Sequence, residues 1–202
     1  MTNYYTSDLH LCCKAALRGN EGDFDNRPFE TLEEMQGKIL TNWNKKVTNA
    51  DHVYILGDLD KRGYNSDVVK LLAQLKGNKH LIVGNHDTVD DLRLRQLFTE
   101  IADYKEMTDH IKGIQYKLVL SHYPIFSWNA MNKGAVHLYG HVHDSWEYFA
   151  YQAHLQVLNE HYAERDGDRF KPIRAYNVGT MLWDYTPVSL KEILERSDYA
   201  SN

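Results

Sequence analysis

Val53-Tyr54-Ile55-Leu56-Gly57-Asp58 and Leu81-Ile82-Val83-Gly84-Asn85-His86-Asp87 share one grammar: an apolar run, a glycine, then side chains able to bind a cation or move a proton. Continuous apolar runs of this length suit strands covered on both faces, as in a parallel sheet between other layers. Upstream, Tyr4-Tyr5-Thr6-Ser7 breaks in the same way into Asp8-Leu9-His10. Helical patterns lie between these runs. Thr31-Leu32-Glu33-Glu34 has the Thr-x-x-Glu form of a helix start, and Leu32, Met35, Ile39 and Trp43 follow on one face. Ser66 can cap a helix with Val68, Leu71, Leu72 and Leu75 on a shared face, ended by Gly77. Strand, polar loop and helix recur three times, which predicts an α/β fold with its functional groups at the carboxyl ends of the strands.

The second half is richer in strand formers. Glu106 to Ile111, a turn at Lys112-Gly113, Tyr116 to Leu120 and Val136 to Tyr139 read as strands, the last two each emptying into a His-bearing loop. Ser145 to His161 predicts an amphipathic helix with Tyr148, Tyr151, Leu155 and Leu158 along one side. Arg174 to Asn177 predicts a further strand, and Ser189-Leu190-Lys191-Glu192 opens a last helix with a second capping box. No repeat or linker interrupts the chain, so residues 1–202 are expected to form a single domain.

The 202 residues are 43% hydrophobic and 25% charged, a balance suited to one core. A net charge of -5 offers no basic field for a nucleic-acid backbone, so no stable nucleic-acid complex is expected. A bound cation would still attract phosphate. The two cysteines are the neighbours Cys12 and Cys13, poorly placed to bridge each other, which points to reduced thiols. The chain's first residues lack the pattern of an export signal, and no apolar stretch is long enough to span a bilayer. A cytoplasmic protein without membrane association is the expectation.

Asp8, His10, Asp58, Asn85, His86, Asp87, His122, His141 and His143 all fall at strand ends. Oxygen and imidazole donors without sulfur suit manganese, iron or zinc, and not a thiolate-held structural zinc. Alternation along a strand would aim Asp8 with His10, and His141 with His143, to one side. Gly57, Gly84 and Gly140 each precede a candidate ligand where the chain must approach an ion closely. His52, His80, His110, His137, His154 and His161 lack that context and are read as non-ligands.

Asp8-Leu9-His10, Gly57-Asp58, Gly84-Asn85-His86-Asp87, His122 and Gly140-His141-Val142-His143 resemble, in this order, the five motifs of the calcineurin-like metallophosphoesterases. Asn26-Arg27-Pro28-Phe29, Ser121-His122-Tyr123-Pro124, His137 to His143, Asn177-Val178-Gly179 and Asp184-Tyr185-Thr186-Pro187 extend the likeness to small bacterial and phage members. The resemblance implies a four-layered α/β/β/α sandwich and two divalent ions, manganese first, with iron, zinc, nickel or magnesium as alternatives. One ion would be held by Asp8, His10, Asp58 and His143, the other by Asp58, Asn85, His122 and His141. Asp58 would bridge them through its two oxygens. Every implied ligand position is filled.

The same resemblance implies hydrolysis of a small, nucleotide-like phosphoester, monoester or diester, by a hydroxide shared between the ions. His86 would be the general acid and Asp87 would orient its ring. Arginine's planar fork suits phosphate oxygens, and two candidates compete. Arg62 loosely resembles the phosphate-binding arginine of the serine/threonine-phosphatase branch, and Arg27 lies in the Asn-Arg-Pro-Phe segment. A nuclease is a second reading, weakened by the short chain and its acidic charge. A non-catalytic interaction module is a third, which loss of ligands would mark. Tyr123, Trp128 and Trp183 either wall the pocket or pack the interior. The Tyr148 to Leu158 face is read as docking on the core or on a second copy, and Cys12 and Cys13 as bystanders.

Overall fold

The strand runs and capping signals build the elements in chain order. The computed structural model describes residues 1–20, 24–61 and 66–196. β1 (Asn3–Thr6) leads to α1 (Leu32–Lys46), β2 (His52–Ile55) to α2 (Ser66–Gln74), and β3 (Asn78–Ile82) to a single turn, α3 (Leu92–Arg95). β4 (Phe98–Ala102) extends the sheet, and one residue later β5 (Tyr104–Ile111) begins a second sheet. β6 (Ile114–Ser121) pairs antiparallel with β5 around Lys112-Gly113. β7 (Val136–Tyr139), α4 (Trp146–Asp166) and β8 (Arg174–Asn177) follow, and then β9 (Val188–Ser189) returns the chain to the first sheet before α5 (Leu190–Glu195). The strand orders are β4-β3-β2-β1-β9 and β5-β6-β7-β8.

Parity along each strand sets the layers. Val53, Ile55 and Leu81 face outward onto Met35, Ile39 and Trp43 of α1 and Val68 and Leu72 of α2. Their neighbours Tyr54, Leu56 and Ile82, with Tyr5, face inward onto Leu118, Leu120, Val136 and Leu138 of the second sheet. Val119, Tyr139 and Ala175 on that sheet's far face meet Leu155 of α4, flanked by Tyr148, Tyr151 and Leu158. The result is the expected α/β/β/α sandwich. Each fully buried aliphatic side chain contributes roughly 1.5–3 kcal/mol of transfer free energy to it.

The helix starts are chemically specific. Thr31 Oγ accepts from the Glu34 N–H at 3.2 Å, while the Glu34 carboxylate reaches back one residue further than a capping box requires, to Glu30 N–H at 3.0 Å. At Ser189 and Glu192 both reciprocal bonds of the box are present. Two aromatic candidates for a pocket wall are packing residues instead. Trp128 is buried and donates its indole N–H to Ala135 O at 3.0 Å, and Trp183 donates to Asn177 O at 2.9 Å. His137 uses both ring nitrogens in the core, on Val119 O and Ile125 N–H, and burial pushes its pKa down to about 4. No helix among the described residues is long and apolar enough to cross a membrane.

Candidate metal centre

Parallel strands point the same way, so the carboxyl ends of β1, β2, β3, β6 and β7 reach one edge of the sandwich. Ser7 N–H donates to Val178 O, and Thr180 N–H to Ser7 O, both at 3.0 Å, which joins the two sheets at that edge. The ligand pairs are not aimed by strand alternation, as the sequence pattern suggested. β1 ends at Thr6 and β7 at Tyr139, and the residues beyond enter the left-handed region: Asp8 (φ 55°), His10 (47°), Asp58 (55°), His141 (70°) and His143 (48°). Each such turn costs a non-glycine residue ~1–2 kcal/mol. The strain is held by cross-loop bonds from Asp8 N–H to Gly57 O (3.0 Å), His10 N–H to Asp58 O (3.1 Å) and Leu11 N–H to Leu59 O (2.9 Å).

These turns assemble two groups of donors. Asp8, His10 and His143 bring one ligand atom each within 4.8 Å of one another, and so do Asp58, His122 and His141. The Asp58 carboxylate lies between the groups, with Oδ2 3.9 Å from His10 Nε2 and Oδ1 3.5 Å from His122 Nε2. His143 Nε2 stands 3.7 Å from Asp8 Oδ1, and Asn85 Oδ1 2.9 Å from His122 Nε2.

A cation fits this donor set. His122 Nδ1 is 2.8 Å from Leu56 O, which can only accept, so in the neutral ring the proton sits on Nδ1 and a lone pair on Nε2. That lone pair meets the Asn85 amide oxygen and Asp58 Oδ1, which itself accepts the His86 N–H, so no proton lies between the ring nitrogen and either oxygen. Both ring nitrogens of His10, itself buried, have no hydrogen-bond partner among the described residues. Acceptors that converge without a proton between them repel one another unless a positive charge joins them.

The electrostatics follow the same geometry. Burial drives Asp58 up to about 6, opposed by His122 and helped by Asp8. Burial, reinforced by the charge of Arg27, holds His10 well below the usual imidazole range; burial and His122 lower His141. Neutral imidazoles are the form that binds metal. His143 moves upward because the Asp25 and Asp8 carboxylates outweigh the effect of burial.

His86 stands beside the first group, its ring centroid 5.9 Å from that of His10, and its backbone N–H donates to Asp58 Oδ1 at 3.0 Å. Asp87 accepts N–H bonds from Gly84 (2.8 Å) and Asp58 (3.0 Å) on Oδ2 and from Leu59 (2.9 Å) on Oδ1. It thereby clasps the β2 and β3 loops together. Gly57 (φ +86°) allows this closeness, since a Cβ there would lie 2.5 Å from His122 Nδ1 and 2.7 Å from Gly84 Cα.

Arg27 is held in the interior. It is 1% exposed, and its fork is consumed internally: Nε donates to Asp25 Oδ2 (2.6 Å), Nη1 to Leu9 O (2.8 Å) and Nη2 to Asp8 O (2.6 Å). The left-handed turns leave those carbonyls without strand partners, and the arginine supplies the donors. Arg62, the competing candidate, lies outside the described residues.

Three contributors escaped the sequence reading. Ser7 Oγ donates to Asp8 Oδ2 at 2.7 Å, beside the His141 N–H that reaches both Asp8 oxygens at 3.1 Å. Asn177 donates to His143 O (3.0 Å) and accepts from Gly179 N–H (2.8 Å), which gives the Asn177-Val178-Gly179 motif a physical role. Asp25 Oδ1 lies 3.0 Å from His143 Nδ1. Asp25 sits in a polar stretch without periodicity, and only its nearness to Arg27 in the chain could have flagged it.

The sandwich and its paired donor groups at the strand ends define a metal-binding α/β scaffold. Residues 1–106 match the calcineurin-like phosphoesterases, more than half of the chain, and the protein belongs to that family. The gene 66 protein of Mycobacterium phage D29 is 29% identical over 162 residues, covering 69% of this chain and 77% of the phage protein. An uncharacterized protein of Methanocaldococcus jannaschii is 34% identical over 116 residues, 57% of this chain and 61% of its own length, so the match spans less than two thirds of that relative. The solved structure of a protein of unknown function from Aquifex aeolicus superposes with a TM-score of 0.62 at 25% identity, covering 96% of this chain and 98% of the other.

Proposed function

We propose that this chain is a dinuclear, metal-dependent hydrolase of a small phosphoester, with Asp58 shared between the two ions. The observation that carries the reading is the placing of the Asp58 oxygens, one toward His10 and the other toward His122. Asp8, His10 and His143 with Asp58 Oδ2 would hold one ion; His122, His141 and Asn85 with Asp58 Oδ1 would hold the other. Mixed oxygen and imidazole donors can take manganese, iron, zinc, nickel or magnesium, and the family likeness puts manganese first. When bound, such ions acidify a water nucleophile and neutralise the non-bridging phosphate oxygens.

The chain's own residues do the rest. His86 belongs to neither donor group and is half-buried at the edge of the site, where its imidazole can give a proton to the leaving oxygen. The His86 N–H bond to Asp58 and the Asp87 clasp hold that loop against the centre. Tyr123, 47% exposed with its ring 4.4 Å from that of His141, offers an apolar flank to the substrate. Two free cysteines and an acidic net charge support a cytoplasmic setting and a substrate that is not a nucleic-acid duplex.

The test is hydrolysis of bis(p-nitrophenyl) phosphate and p-nitrophenyl phosphate, with and without manganese. Turnover of at least one ester that requires the ion is expected. A protein that takes up manganese and turns over neither ester would instead be a non-catalytic module that retains the fold.

A further inference from the structure

We infer that Asp25 is a positioning residue for the first donor group, fixing the ring of His143 so that Nε2 is the nitrogen offered to a cation. The inference rests on the proposed reading of Asp8, His10 and His143 as ligands, and it begins from how the two Asp25 oxygens are used. Oδ2 takes the Arg27 Nε–H at 2.6 Å, which is enough to neutralise that buried guanidinium. Oδ1 is left over and faces His143 Nδ1 at 3.0 Å. The contact falls short of a full hydrogen bond, and neither atom has another partner among the described residues. The Asp25 and His143 side chains are only 1% and 12% exposed, so water does not compete for either atom.

A carboxylate can only accept, so the proton of the ring belongs on Nδ1 and the lone pair on Nε2, the atom 3.7 Å from Asp8 Oδ1. A carboxylate behind a ligating imidazole sets its tautomer and raises its basicity. The second group uses a weaker version of the same device, since His122 Nδ1 is set by the neutral carbonyl of Leu56. Asp25 also links His143 to the rest of its group, because its partner Arg27 holds the carbonyls of Asp8 and Leu9. Phe24 completes this strap, packing edge-on to both His10 (5.1 Å) and His143 (5.2 Å).

The test uses the whole protein in two states. In the metal-free, ¹⁵N-labelled protein at mildly alkaline pH, long-range imidazole spectra should show His143 protonated on Nδ1, and Asp25→Asn should shift the ring toward the Nε2–H form. In manganese titrations, Asp25→Asn should weaken one of two binding events by ~10-fold to 100-fold and leave the other unchanged. Asp25→Glu should restore part of the loss. A wild-type His143 found as Nε2–H overturns the inference even if the variants do not fold. So does an Asp25→Asn protein that binds both ions like wild type, or one that loses both equally along with its thermal stability, which would make Asp25 only the counter-ion of Arg27. Failure of wild type to bind any ion would refute the proposed function and remove the ligand role, while the ring spectra would still report separately whether Asp25 sets the tautomer.

Discussion

His122 Nδ1 and the carbonyl oxygen of Leu56 stand 2.8 Å apart across 66 residues of sequence, and that contact selects the ring nitrogen that faces Asp58 and Asn85. Gly57, next to Leu56, is what lets the ring sit there. Gly57→Ala would combine a left-handed turn, at φ +86°, with a Cβ 2.5 Å from His122 Nδ1. The two penalties, ~1–2 kcal/mol for the turn and ~1–3 kcal/mol for overpacking, predict a loss of at least ~2 kcal/mol in urea denaturation. Unchanged stability would mean that the loop relaxes and that the contact is dispensable.

His86→Ala should lower kcat by ~10²-fold to 10⁴-fold for alkyl phosphoesters, where the leaving group needs a proton, and much less for p-nitrophenyl esters. Manganese content should not change. Steady-state kinetics on the two ester types, with metal analysis of the same preparations, checks both halves. Equal turnover of the alkyl ester by variant and wild type would end the general-acid assignment.

Arg27→Met would leave Asp25 buried without its cation and two carbonyls without donors. Removing one partner of a buried pair costs ~3–5 kcal/mol, so the variant should be strongly destabilised in chemical denaturation. A raised KM at wild-type stability would return Arg27 to the substrate.

His137 gives the fold an acid sensitivity separate from the candidate metal centre. Burial depresses its folded pKa to about 4, below the ordinary 6.5, so between those values the unfolded chain binds more protons than the native one. Stability from this group is therefore complete above pH 6.5 and falls as pH drops toward 4, by up to about 3 kcal/mol. His137→Gln should flatten this part of the stability–pH curve by up to one proton. An unaltered slope would place the acid sensitivity elsewhere.

Much of this architecture was legible because it rests on local rules. The uninterrupted runs before Gly57 and Gly84 announced strands covered on both faces, and Thr31 and Ser189 announced their helices. β4 and β9 were not legible: one has half-buried residues and no apolar run, and the other is two residues long and exists only through pairing with β1. At the site the candidate donor types were readable but not their aim. Asp8 and His143 are brought together by left-handed turns and by loops 133 residues apart, joined through the His141 N–H on Asp8. The role of Arg27 was not legible for a related reason, since an arginine near a phosphate motif and one that satisfies buried carbonyls look alike until burial is known.

The most direct test of the central claim is manganese stoichiometry, measured by elemental analysis after equilibrium dialysis of wild type and Asp58→Asn. Wild type should hold two ions per chain and the variant should lose tight binding of both, because a single carboxylate would serve both groups. An Asp58→Asn protein that still held two tightly bound ions would contradict it.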